Sequence, residues 1–130
     1  MKRLALLMGI MICTASPSFA ISEFGKQWKD AYLGSDADPD WVRTGRKAGC
    51  YVCHVKGEDK KKVRNEYGKA IHEFLDAEDF PKDYVKANPE EAKAKILEGF
   101  KKAGEKKSSD GRTFAEKIEA NELPATDAGL

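Results

Sequence analysis

The sequence predicts a small all-α domain of roughly four or five helices, and three observations lead there. No stretch alternates apolar and polar residues over a convincing strand length. Apolar side chains instead recur at spacings of three and four, and helix start and stop signals flank those stripes. With 130 residues there is room for one such domain rather than two.

The first twenty residues stand apart from the rest. Met1 is followed by Lys2 and Arg3, then by an apolar run from Leu4 to Cys13, and the segment ends Ser18-Phe19-Ala20. A charged start, a short apolar core and small residues at the third and last positions before a cut describe an export signal. A membrane anchor wants about 20 apolar residues, more than this run supplies. The expectation is therefore residues 1–20 as a signal peptide cleaved after Ala20, and residues 21–130 as the working domain. Localisation is then periplasmic or otherwise exported, with no membrane span left after cleavage.

Within that domain, Phe24, Trp28, Ala31 and Tyr32 share helical spacing. Residues 34 to 40 form an acidic, turn-rich linker. Val63, Tyr67, Ala70, Ile71, Phe74 and Leu75 mark one face of a helix over 63–75. Asn88-Pro89 reads as an N-cap with proline at the first helical position, and Ala92, Ile96, Phe100 and Ala103 continue that stripe. Gly99 is a local weakness in it. Thr113 and Glu116 fit a capping box that opens a short last helix through Phe114 and Ile118.

Cleavage rewrites the composition. Cys13 and all three methionines (Met1, Met8 and Met11) fall in the discarded segment, leaving only Cys50 and Cys53 and no methionine. Few large apolar side chains remain, so a thin core would benefit from a bound cofactor. Near-zero net charge gives no electrostatic case for nucleic acid.

Cys50-Tyr51-Val52-Cys53-His54 is Cys-x-x-Cys-His, the attachment signature of haem c. Two thiols with two residues between them span the haem vinyl groups as thioethers, and the histidine that follows is delivered to one face of the ring as an axial iron ligand. Other readings of these residues are weaker. A disulfide here closes a very small loop, a redox dithiol wants a βαβ setting, and a zinc site would have to recruit both His54 and His72.

With its export signal and helical pattern, the chain around residues 50 to 54 resembles the small exported single-haem c-type cytochromes. The resemblance implies a cytochrome c-like domain wrapped around one covalent haem c, with Cys50 and Cys53 as thioether sites and His54 as proximal iron ligand. It also implies Fe(III)/Fe(II) electron transfer with redox partner proteins rather than catalysis by the protein itself. One departure matters: the electron-carrying members bring a downstream methionine as sixth ligand, and residues 21–130 contain none.

His72 is the candidate substitute, the only other histidine. At about 100° per residue it points roughly 140° from the apolar face of the 63–75 helix, among Asn65, Gly68 and Asp76, which favours solvent. Tyr67 lies on the buried face and is a candidate distal-pocket residue, with core packing the commoner role for such an aromatic. A lysine ligand is left unassigned. An open sixth position motivates the alternative function, a haem protein that binds a small gas such as NO or CO. Peroxidase-like catalysis is weaker still, for want of a distal acid–base pair.

Charge is unevenly placed. Residues 43–64 hold Arg43, Arg46, Lys47, Lys56, Lys60, Lys61, Lys62 and Arg64 against only Glu58 and Asp59, a net +6 bracketing the motif. That stretch could steer an acidic redox partner to the haem edge, or serve simply as a solvated loop. Phe24, Trp28 and Tyr32 could form a dimer face or pack the first helix inward.

Overall fold

The computed structural model describes residues 18–60 and 62–130. The expected signal peptide lies outside them apart from residues 18–20, which open the first helix. Among the described residues the structure is all helical: six α-helices, two 3₁₀ turns and only two isolated antiparallel bridges, His54 with Arg64 and Lys107 with Thr113. No described helix is long and apolar enough to cross a membrane.

The helices are α1 (Ser18–Tyr32), α2 (Pro39–Ala48), α3 (Glu66–His72), α4 (Lys82–Ala87), α5 (Pro89–Gly104) and α6 (Phe114–Glu119). Helix α5 is the hub, packing against α1, α3, α4 and α6. Its stripe is the expected one: Ala92, Ile96, Phe100 and Ala103 are all buried. Gly99 is also buried there, and a Cβ on it would lie 2.3 Å from Leu75 Cγ, so this glycine permits close approach of the 72–75 segment. Pro89 begins α5 as expected, but Asn88 makes no side-chain cap. Its amide donates backward to the Tyr84 carbonyl at 3.3 Å, because α4 ends immediately before it. The capping box of Thr113 and Glu116 forms as expected.

Three expectations require correction. The acidic linker ends early: Asp38 accepts hydrogen bonds from the Asp40 and Trp41 amides, capping α2 at Pro39, and Trp41, Gly45 and Ala48 form its buried face. The 63–75 helix is α3 alone, seven residues long, with Asn65 as its N-cap rather than a member of its polar face. Phe74 therefore lies past the helix end and is 39% exposed, its ring under the Lys106 ammonium at 5.6 Å. Finally, the core is not thin. Trp28, Trp41, Tyr67, Phe80, Phe100 and Phe114 are buried in one cluster with aliphatic neighbours, and Phe24 and Tyr32 pack against it. The aromatic stripe of α1 packs into this core, the inward role expected for it, with Trp28 buried and Phe24 and Tyr32 partly so.

A polar latch ties the N-terminus of α3 to the last third of the chain. The Glu66 carboxylate accepts from Ser108 Oγ at 2.7 Å, the Ser109 amide at 2.8 Å, and the amide and hydroxyl of Thr126 at 2.8 and 3.0 Å. Lys117, only 3% exposed, reaches Ser108 Oγ at 3.3 Å and Asp110 at 3.2 Å, so its buried charge is paired. Partial burial pushes the Glu66 carboxyl up, but the hydrogen bonds from Ser108, Thr126 and Ser109 outweigh it and hold the group down at about 2. A depressed carboxyl contributes stability in full above its ordinary value and loses it as pH falls toward the folded one. Glu66→Gln is thus expected to lower the melting temperature at pH 6, with the gap from the parent protein closing between pH 4.5 and 2. Parallel thermal melts across that range check it, and a gap independent of pH would contradict the latch.

Candidate functional site

The Cys-x-x-Cys-His segment begins where α2 stops. Gly49 has φ of 54°, a left-handed conformation that suits glycine, and its amide closes the last turn onto Gly45 O. The chain then tightens into a 3₁₀ turn over Gly49–Val52. The amides of Cys53 and His54 both donate to Cys50 O, at 3.3 and 3.1 Å, which puts both thiols and the imidazole on one compact turn. Both cysteines are unpaired, Cys50 exposed and Cys53 less so.

His54 is held by its inner nitrogen. Nδ1 lies 3.0 Å from the carbonyl of Val63, and since a carbonyl can only accept, Nδ1 carries the hydrogen. The neutral ring then keeps its lone pair on Nε2, the arrangement in which a histidine ligates iron through one nitrogen while the other donates to a carbonyl. The His54–Arg64 bridge runs alongside, so the 63–65 segment backs the motif.

Asn65 is the residue that sequence reasoning missed. It is fully buried, and its side-chain amide lies 3.0 Å from Tyr51 O, 3.0 Å from Val52 O and 3.3 Å from His54 O. Its backbone amide donates to Cys53 O at 3.0 Å, and its side-chain oxygen accepts from Gly68 N at 2.9 Å. Four consecutive carbonyls of the motif are thereby bound to one residue. The only signal for this was its position before Glu66, where asparagine caps a helix. From the other side, the Lys56 amide donates to Ala128 O at 2.8 Å, joining the segment after His54 to the C-terminal strap.

Burial pushes the Cys53 thiol up to about 12, reinforced by Cys50 and only partly offset by Arg64. Among the described residues no group of three or more His, Cys, Asp or Glu side chains gathers to hold a metal ion, so the zinc reading has no assembled site. Haem iron makes no such demand, since the ring supplies four of its ligands. Two unpaired thiols on one turn and an imidazole with Nε2 available fit covalent haem by the chemistry of the donor set.

The remaining candidates are dispersed. His72 is exposed at the end of α3, as its helical angle predicts. Tyr67 is completely buried and accepts a hydrogen bond from Trp28 Nε1 at 3.1 Å. Burial, then the charges of Cys53 and Tyr32, hold its phenol well above its ordinary value. Of the basic stretch, Arg46, Lys47, Lys56, Lys60 and Lys62 are exposed, and Lys60 sits over the Tyr51 ring at 5.1 Å. Two surface cavities, of about 340 and 480 Å³, are lined around Arg46 and around Phe74, and neither includes Cys50, Cys53 or His54.

Fold and site together define a small all-helical domain that carries a braced Cys-x-x-Cys-His turn. No protein-family model matches the chain, and comparisons with curated proteins and with solved structures find no similar one.

Proposed function

We propose that this protein is an exported, periplasmic c-type cytochrome that holds one covalent haem c and transfers electrons. The observation that carries the reading is the His54 Nδ1 contact with Val63 O, which leaves Nε2 available to ligate in the residue directly after the second of two unpaired cysteines. The haem supplies the Fe(III)/Fe(II) couple when bound. The chain's own part is to fix the ring through Cys50 and Cys53, orient His54, and set the potential through ligand and burial. Trp28, Trp41, Tyr67, Phe100 and Phe114 close the interior while Cys50 is exposed, so Cys50 would offer its thiol to a haem from the surface of the turn. The exposed cations around it favour a redox partner with an acidic face.

A second reading, capture of a gas such as NO or CO, draws on one observation: residues 18–130 contain no methionine, while His72 is exposed and Tyr67 is engaged by Trp28. The two are separated by one experiment. The chain expressed with a cytochrome-maturation system should be coloured and heavier by one haem, and a colourless product overturns both readings. A ferrous spectrum unchanged by CO supports the carrier, whereas ready CO binding supports the gas-binding protein. His72→Ala is expected to leave the spectrum unchanged, and CO binding gained on that substitution would make His72 the sixth ligand.

A further inference from the structure

The carbonyls of Tyr51, Val52, Cys53 and His54 are consecutive, and each is within hydrogen-bond distance of Asn65, three through the side-chain amide and one through the backbone N–H. A side-chain amide has two hydrogens, so three carbonyls at 3.0, 3.0 and 3.3 Å share them around a fully buried donor. The other end of the same side chain binds Gly68 N and starts α3. Asn65 thus joins two functions in one residue: a helix cap through its oxygen and a clamp on the motif through its nitrogen. Capping alone explains neither its complete burial nor the convergence of a whole turn's carbonyls on it.

From this geometry we propose that Asn65 is the positioning residue of the attachment turn. It sets the relation between the two thiols and the His54 ring from within the protein, so that the cofactor joins a turn already shaped. The role builds on the haem reading above, but the clamp itself is a property of the chain. Val63 completes it by orienting His54, and Gly68 makes room by letting α3 lie directly against Cys53.

The two functions are separable by substitution. Asn65→Ser keeps a good N-cap oxygen for Gly68 N but removes the amide that reaches the three carbonyls. In the full chain prepared without haem and with its thiols reduced, alkylation followed by mass spectrometry should label Cys50 faster than Cys53. In Asn65→Ser the Cys53 rate is expected to rise roughly five- to tenfold, the factor that a net hydrogen bond is worth. The near-ultraviolet signal of buried Trp28 and Trp41 should be retained. In the haem-loaded variant, adducts attached through one thioether should accompany the doubly attached form. Unchanged Cys53 labelling and complete double attachment in Asn65→Ser would overturn the proposal and leave Asn65 a cap. If the variant loses its tryptophan signal, amide exchange in the parent chain decides: the Asn65 side-chain hydrogens must exchange far more slowly than those of exposed Asn121, and equal rates refute the clamp. A parent chain that takes up no haem defeats the haem reading while the thiol and exchange measurements still decide the role of Asn65.

Discussion

Gly68→Ala should be among the most damaging single substitutions in this protein. A Cβ at that position would lie 2.0 Å from the Cys53 carbonyl oxygen, 2.9 Å from its carbon and 3.2 Å from Arg64 Cβ. The first two are backbone atoms of the motif, which cannot swing aside as a side-chain end can. Relief requires the 50–54 turn and α3 to separate by about an ångström, which breaks the hydrogen bond from Asn65 N to Cys53 O and loosens the amide clamp beside it. Two effects compete, because alanine in a helix is favoured over glycine by about 1 kcal/mol. Overpacking against a fixed wall costs roughly 1–3 kcal/mol or more, and the broken hydrogen bonds add to it. Destabilisation wins, with a fall in melting temperature of roughly 10 °C. Gly25→Ala is the internal control: it lies exposed in α1 with nothing within 4 Å of its Cβ, so propensity acts alone and the melting temperature should rise. A Gly68→Ala protein as stable as the parent would mean that α3 does not rest on the motif.

What could be read from sequence divides by range. The helical class, the capping box at Thr113, the α5 stripe and the exposure of His72 all depend on neighbours within a turn or two, and all are found in the structure. The Cys-x-x-Cys-His motif is legible for the same reason. Helix α2 was legible in principle, since Asp38-Pro39 is a start signal, but the acidic residues around it read as a linker. The limits of α3 misled because Val63 and Phe74 continue its apolar period while lying outside it. Val63 instead turns its carbonyl to His54, and Phe74 is left at the surface. The brace of the site was hidden because its partners are distant in the chain. Asn65 reaches back 11 to 14 residues, and Glu66 reaches forward 42 to 60. No periodicity records such bonds, so a buried asparagine and a glutamate with four donors around it read only as polar positions of a 63–75 helix. The fullness of the core was likewise invisible to counting, since a few aromatic residues from α1, α2, α3, α5 and α6 meet at one place.

Tyr67→Ala is expected to match or exceed the cost of Gly68→Ala. The side chain has no exposed area, packs against Phe114 at 5.1 Å between ring centres, and accepts the indole hydrogen of Trp28. Truncation removes an aromatic ring from a closed core, worth about 3–5 kcal/mol for such residues. It also strands a buried donor, adding roughly 1–3 kcal/mol. Tyr67→Phe separates the two contributions, keeping the ring and losing only the acceptor, so its cost should fall in that second range. Replacing Trp28 with phenylalanine as well removes the donor that Tyr67→Phe leaves unsatisfied, and the double variant should be less destabilised than the two single effects added together. Urea unfolding of the four proteins measures that coupling. The same series decides what Tyr67 does for the site. A core residue changes stability and leaves the haem spectrum alone, whereas a distal-pocket residue changes the spectrum or ligand binding in Tyr67→Phe at little cost in stability. The hydrogen bond from Trp28 and the complete burial of the ring favour the first outcome, because the phenol oxygen is already engaged by the indole and has no exposed surface to offer a ligand.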